Sequence, residues 1–382
     1  MLFYFKYFDF ALDTLRRITG MKIDLIGIVL PIGISFFTFQ GLSYVVDVYW
    51  GNAGVQKSIF RLGLYVSMFP QLIAGPIVRY TDIEKEMSER HVSVDEFAAG
   101  IRRFSVGLGK KAILANALGG TADSVWAAIP NAGSAFVAWI GVIAYALQIY
   151  FDFSGYSDMA IGLGKMFGFH FLENFNFPYI SRSITEFWRR WHISLSTWFR
   201  DYVYIPLGGN RKHLYRNLII VFFLTGLWHG AATKFVLWGL WHGFFMLIER
   251  VTRNKATRFK ESAPGKVLSW AYTMLVVMLG WVLFRSDRTM AAIDYGKTLF
   301  GLSDAPSLYA ASWFLDRYTI AMLFLGIVFS TPLMSMLWKK VSSSWRETPR
   351  LMAENAGALL VLAYSVIRVM SSSYNPFIYF QF

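Results

Sequence analysis

The sequence predicts an all-α integral membrane protein, a polytopic helical bundle containing short or re-entrant helices. Three observations carry that reading. Four long stretches carry no Asp, Glu, Lys or Arg: residues 25–46, 124–151, 267–284 and 318–338, which are 22, 28, 18 and 21 residues long. A hydrocarbon core is crossed by roughly 17–25 apolar residues in a helix, so each is long enough to span. The composition agrees. Of 382 residues, 55% are hydrophobic, 18% aromatic and only 16% charged, with mean hydropathy +0.41; a soluble domain carries about 25% charged residues. Finally, the net charge of +13 is spread over short loops beside the apolar stretches, as expected when basic loops stay in the cytoplasm.

These observations exclude a soluble enzyme, a disordered chain and a coiled coil. A nucleic-acid binder is excluded as well, because the basic residues are scattered between spans rather than gathered on one face. The chain has no cysteine, so disulfides, thiolate metal sites and an acyl-cysteine intermediate are ruled out. Residues 1–18 do not read as a cleavable signal peptide, since Lys6, Asp9, Asp13, Arg16 and Arg17 interrupt any apolar core. Shorter apolar stretches at 62–78, 217–233 and 355–367 bring the expected number of embedded helices to about 8–12. The longest polar stretch, residues 79–96, reads as a loop outside the membrane with a short amphipathic helix. No Pro/Ser-rich linker separates domains, so residues 1–382 are expected to form one membrane domain.

Loop charge orients the chain. Arg211, Lys212 and Arg216 form one basic loop; Arg250, Arg253, Lys255, Arg258 and Lys260 form a second; Lys339, Lys340, Arg346 and Arg350 form a third. All three are expected in the cytoplasm, and the charge-balanced loop at 285–317 outside. Residues 217–248, flanked by basic loops at both ends, must therefore enter the membrane and return. Helices over 217–233 and 235–248 measure about 25 and 21 Å, short of a hydrocarbon core of about 30 Å. Gly230 and Lys234 mark the turn, and His229 is expected near its tip, at membrane depth. An ionisable residue at such depth is a functional-site hypothesis by default, against a histidine merely hydrogen-bonded within the bundle.

Residues 184–210 are unusual in another way. Trp188, His192, Leu195 and Phe199 recur at helical spacing on one face, flanked by Trp191 and Trp198, while Arg189, Arg190 and Arg200 supply charge. Trp with Arg suits an interfacial helix, but a histidine on its apolar face points to a buried site. Asp152 and Asp158 close the longest uncharged run. They are expected to mark the end of the span, to pair with the arginines of the Trp/Arg helix or to line a polar cavity. Gly155, Gly162, Gly164 and Gly168 predict close helix packing. His170 reads as structural, and His91 and His213 as solvated. Metal ligation is not expected, because the histidines lack spacings such as His-Glu-x-x-His, and neither is a phosphate-cradling glycine loop. Histidines in membrane-embedded aromatic surroundings suit acid–base work near neutral pH.

Five segments resemble motifs of the membrane-bound O-acyltransferase family: Phe-Pro-Gln-Leu-Ile-Ala-Gly-Pro from residue 69, Phe-Asp-Phe-Ser-Gly-Tyr-Ser-Asp from 151, the stretch 187–211, Leu-Trp-His-Gly from 227, and Asn-Pro-Phe-Ile-Tyr-Phe-Gln-Phe from 375. The likeness runs through nearly the whole chain and is strongest to the bacterial alginate O-acetylation branch. It implies an all-helical fold with a thinned centre and a central funnel, where a cytoplasmic acyl donor meets an extracytoplasmic acceptor. It implies that His229 is the catalytic base and His192 the second functional histidine. Trp188, Arg189, Arg190, Trp191, Trp228, His242, Asp152 and Asp158 form the expected substrate-binding set. No cofactor is expected to be bound. The implied donor substrate is acetyl-CoA or another acyl thioester, the acceptor an exported polysaccharide, and the partner an extracytoplasmic SGNH-type transferase or esterase. The implied location is the bacterial inner membrane. Family members begin with further hydrophobic helices, so a chain opening on residues 1–7 reads as one started late or shortened. The competing reading is a transporter or exporter subunit in which His229, Asp152 and Asp158 relay protons; it predicts broken-helix symmetry between the chain halves, which the sequence lacks.

Overall fold

A computed structural model describes residues 2–31, 33–73, 75–131, 133–252 and 262–371, which form helices joined by turns and loops. The motif at 375–382 and most of the basic loop at 253–261 lie outside these described residues. Helix α1 is Phe8–Thr19, α2 Ile34–Trp50, α3 Ile59–Ser67 and α4 Tyr80–Ile83. Helix α5, Val94–Gly109, runs through a π-helical segment, Lys110–Ala115, into α6, Asn116–Ala128. The longest element is α7, Ala135–Met166. Two short helices, α8 (Ile184–Arg190) and α9 (Ile193–Phe199), precede a hairpin of α10 (Leu214–His229) and α11 (Thr233–Thr252). The chain continues with α12 (Ala263–Arg285), α13 (Thr289–Leu299), α14 (Arg317–Phe329), α15 (Leu333–Ser342) and α16 (Glu347–Met370).

Among the described residues, three helices, α7, α12 and α16, are long and apolar enough to cross a membrane, and α14 with α15 make a fourth candidate span bent by 70°. Of the four uncharged runs, only 267–284 lies within one unbroken helix. The run at 25–46 is half helix, because Gly27 and Gly33 adopt left-handed backbone (φ 69° and 79°) and α2 starts only at Ile34. Pro130 and the turn after α6 split 124–151. The bend in 318–338 falls at Ser330–Pro332, where a proline cannot continue the amide ladder. Conversely, the predicted stretch 355–367 is the interior of a full-length helix, α16. Leu359, Leu360, Ile367 and Met370 on α16 and Ile320, Phe324 and Ile327 on α14 stand exposed, an apolar outer surface that suits lipid.

The centre is α7, buried along most of its length. Helix α5 packs along it with the backbones in near contact: a Cβ on Gly107 would lie 2.6 Å from the Gly155 carbonyl oxygen, and one on Gly100 2.6 Å from that of Gly162. Gly155 and Gly162 thus serve close packing as expected. Gly164 instead makes room for the Phe171 ring, and Gly168 ends the helix region at φ 77°. At the N-terminal end of α7, Tyr295 donates to the Ala138 carbonyl (2.9 Å) and Trp139 to that of Leu299 (3.1 Å), tying α13 to it. At the other end, His170 links Glu86 (Nδ1, 2.8 Å) and Glu96 (Nε2, 3.0 Å). Its role is structural.

Two predictions follow from this packing. Gly155→Leu should lower the stability of the detergent-solubilised protein by about 1–3 kcal/mol, while Gly120→Ala, which meets no atom within 4 Å, should not; thermal unfolding measures both. The hydrogen bond to Glu86, then that to Glu96, raise the His170 pKa above its ordinary value. A raised folded-state pKa contributes stability that is complete below the unfolded value of about 6.5 and is lost as pH climbs through the folded one. The melting-temperature gap between wild type and His170→Gln should therefore be widest at acidic pH and close as pH rises.

Candidate active site

The α10–α11 hairpin forms as the charge pattern predicts, with a correction in its second arm. Helix α10, of 16 residues, is about 24 Å long; α11, of 20 residues, is about 30 Å rather than the shorter helix expected. The arms close on glycines, since a Cβ on Gly226 would lie 2.3 Å from the Phe235 carbonyl oxygen and one on Gly239 2.2 Å from that of Phe222. His229 is the last residue of α10, at the tip, beside the C-terminal turn of α12.

Aromatic rings box in its imidazole. Trp228 and Trp238 meet it at centroid distances of 4.9 Å each and Phe284 at 5.2 Å, all edge to face. The ring is half-buried. Among the described residues neither of its nitrogens has a hydrogen-bond partner, so one is available to take a proton.

His192 reaches the same place by a route that helical periodicity did not show. The Trp/Arg stretch is not one helix: α8 stops at Arg190, and His192 adopts left-handed backbone (φ 44°, ψ 56°) before α9 begins. The expected single face of Trp188, His192, Leu195 and Phe199 is therefore broken at its second member. Asn174 imposes the break. Its carbonyl accepts from Ile193 N (2.9 Å), and its side-chain oxygen accepts from Ser194 N (3.1 Å) and Ser194 Oγ (2.9 Å). That same oxygen lies 3.2 Å from His192 Nδ1. An oxygen already accepting a backbone N–H is an acceptor here too, so Nδ1 carries the proton and Nε2 is the basic nitrogen. A non-glycine residue in this conformation stores strain, which clusters at functional sites. Ile77, which directly follows the motif from residue 69, supports the break, as its N–H donates to Ser194 Oγ (3.0 Å).

Trp228 joins the two histidines, lying 6.1 Å from the His192 ring and 4.9 Å from that of His229. Trp238 plays the same part between His229 (4.9 Å) and the fully buried His242 (5.2 Å). Trp188 packs on His242 at 5.3 Å and Trp191 on Trp281 at 4.9 Å. Among the described residues, neither nitrogen of His242, nor the indole N–H of Trp188, Trp228 or Trp238, has a hydrogen-bond partner, an accumulation that buried polar groups ordinarily avoid.

The remaining predicted residues stand apart. Arg189 is exposed, Arg190 pairs with Glu186 (3.0 Å), and Arg200 pairs with Asp201 (2.6 Å), so none meets the histidines. Asp152 and Asp158 neither end a span nor pair with those arginines. Helix α7 continues past both to Met166, and they lie buried within it, held by cations of α5 and of the π-helical segment after it: Asp152 by Lys111 (2.6 Å), Asp158 by Lys110 (2.6 Å) and Arg103 (2.6 Å). Asp158 does line a cavity of 1070 Å³, shared with Arg102, Lys165, Ser154 and Asn174. Sequence reading missed Asn174, whose effect depends on contacts with residues 18 and 20 positions away. It also missed Trp238 and Phe284, although Trp238 lies one helical turn before His242 and so on its face.

The profile of the membrane-bound O-acyltransferase family matches residues 52–286. The chain belongs to this family. It is 41% identical to the probable alginate O-acetylase AlgI of Azotobacter vinelandii, over all of this chain and 82% of that protein. It is 35% identical to the peptidoglycan O-acetyltransferase of Helicobacter pylori, over all of this chain and 80% of that protein. To the teichoic acid D-alanyltransferase of Bacillus subtilis it is 32% identical, over 53% of this chain and 55% of that one. This O-acyltransferase is thus an all-helical membrane enzyme, as the sequence predicts.

If Asn174 shapes the His192 turn, Asn174→Leu should lower acyl transfer by about 10- to 100-fold, the scale of an ångström-sized misplacement. The initial rate of labelled acetate incorporation into exported polymer, at matched protein level, measures it.

Proposed function

We propose that this enzyme transfers an acetyl group from a cytoplasmic thioester, acetyl-CoA, towards hydroxyls of an exported polysaccharide at the bacterial inner membrane. The observation that carries this reading is the pair of histidines on either side of Trp228: His229 at the hairpin tip, and His192 with its Nε2 unprotonated. His229 takes the acceptor hydroxyl's proton as the oxygen attacks the thioester carbonyl. The new O–C bond forms, the C–S bond breaks, and the proton passes to the leaving thiolate. His192 orients the acyl group. Since the chain has no cysteine, the transfer is direct or passes through an acceptor other than an enzyme thiol.

Two cavities support access from opposite sides. The 1070 Å³ cavity opens beside Arg102, Lys165 and Glu354, on the side of the basic loops, and runs to Asn174. Arg102 and Lys165 make no ion pair among the described residues, which suits the phosphates of a thioester donor. The second, of 910 Å³, is lined by Lys234, Arg285, Trp126 and Tyr145, on the side of the balanced loop. Phe284, which touches His229, immediately precedes Arg285 in α12. The relatives' printed activities, on alginate and on peptidoglycan, favour an exported glycan acceptor, and an extracytoplasmic SGNH-type partner completes delivery. The proton-relay transporter finds less support: Asp152 and Asp158 are engaged with Lys111, Lys110 and Arg103 rather than with His229.

His229→Ala should reduce O-acetylation of the exported polymer at least 100-fold, the lower end of general-base contributions, while the protein still reaches the membrane in normal amount. NMR of the purified polymer reads the acetyl content. Retained acetylation with His229→Ala overturns the assignment.

A further inference from the structure

We propose that Lys6 is a positioning residue for His229, an inference that rests on reading His229 as the base. Helix α10 ends at His229, and the following Gly230 is extended (φ −172°, ψ 154°). The carbonyls of the last turn therefore have no intrahelical partner and must find one elsewhere. Two are taken by the segment before α1. The Lys6 ammonium donates to the Trp228 carbonyl oxygen and to Ser35 Oγ (3.1 Å), and the Tyr7 hydroxyl donates to the Leu227 carbonyl oxygen (2.8 Å).

A cation at a helix C-terminus is favoured by the helix dipole as well as by the hydrogen bond. Lys6 also lies 5.9 Å from the centroid of the Trp228 ring, the indole that separates His192 from His229. Among the described residues Lys6 has no carboxylate partner, and it is half-buried. A lysine so placed, with its charge uncompensated, is costly in apolar surroundings, and such residues mark function. Its two hydrogen bonds and its ring contact fix the peptide immediately before His229, and with it the direction in which the imidazole points. Tyr7 fixes the adjacent carbonyl without a charge, so the two residues separate stability from positioning.

The test feeds radiolabelled acetate to cells that carry Lys6→Met, Lys6→Arg or Tyr7→Phe in place of the wild-type chain. It reads the initial rate of label entering exported polymer at matched protein level, with the melting temperature of each purified variant alongside. Lys6→Met should lose about 10- to 100-fold in rate at a near-wild-type melting temperature. Lys6→Arg should retain most of the rate, and Tyr7→Phe should stay within about threefold. The proposal is overturned if Lys6→Met keeps its rate, if Tyr7→Phe falls as far as Lys6→Met, or if the rates merely follow the melting temperatures. Should His229→Ala itself remain active, the reading beneath the proposal fails; should His229→Ala be inactive and Lys6→Met active, the proposal alone fails.

Discussion

A helix that stops inside an apolar interior leaves amides and carbonyls without partners, and water is not at hand to take them. Much of this enzyme's centre is organised by that requirement. At the start of α8, Glu249 of α11 accepts from Ile184 N (2.6 Å) and Thr185 N (3.1 Å). At the start of α9, Asn174 receives Ile193 N and Ser194 N. At the end of α10, Lys6 and Tyr7 supply donors to Trp228 and Leu227. Each polar side chain comes from a distant part of the chain, so satisfying a helix end also fixes the relation between elements. Short helices become possible at the centre, and histidines sit where those helices stop.

The rigid part of the molecule lies behind this broken region. Helices α5 and α7 approach at glycines, and the Lys111–Asp152 and Lys110–Asp158 pairs cross the same contact. Buried ion pairs of this kind are weak evidence for stability, but removing one partner is costly. They hold α7 in register with the α5–α6 run, and α7 in turn forms a wall against which Tyr179, Phe187 and Trp191 pack. The aromatic box around His229, built by α10, α11 and α12, belongs to the same aromatic cluster, since Trp281 of α12 packs on both Trp191 (4.9 Å) and Trp238 (6.0 Å). Trp238 and Phe284 also face each other at 5.0 Å, closing the box. The result is an imidazole in a constrained aromatic cage, next to a second imidazole whose tautomer is set by Asn174. Such preorganisation is what proton transfer to an acyl-transfer site requires.

How much of the site was legible in the chain varies residue by residue. His229 could be placed because two properties coincided: basic loops on both sides of the segment, and arms too short to cross. For His192 the local geometry differs from that expected, because 4-3-4 spacing describes a continuous helix and cannot register a strained residue imposed from elsewhere. Two of the arginines of the same stretch, Arg190 and Arg200, are engaged locally. Composition shows that charge is present, not that Glu186 and Asp201 satisfy it locally. Asp152 and Asp158 were read as the end of a span, since a span is expected to stop at its first charges. A helix can carry carboxylates onward when lysines from a neighbour meet them.

By itself, the sequence determined the class and the family: long uncharged runs, basic short loops and the histidine motifs are local properties that survive without coordinates. It also determined the hairpin and the identity of its tip residue. Only the tertiary structure decided where the spans break, which cations meet the buried aspartates, that Asn174 sets the His192 turn, and that Lys6 closes the end of the His229 helix. The physical reason is one of distance along the chain. Hydrophobic periodicity reports on neighbours within a few residues, whereas Lys6 and Trp228 are separated by 222 positions, and the demand for that contact arises only after α10 has formed and left its last carbonyls unpaired.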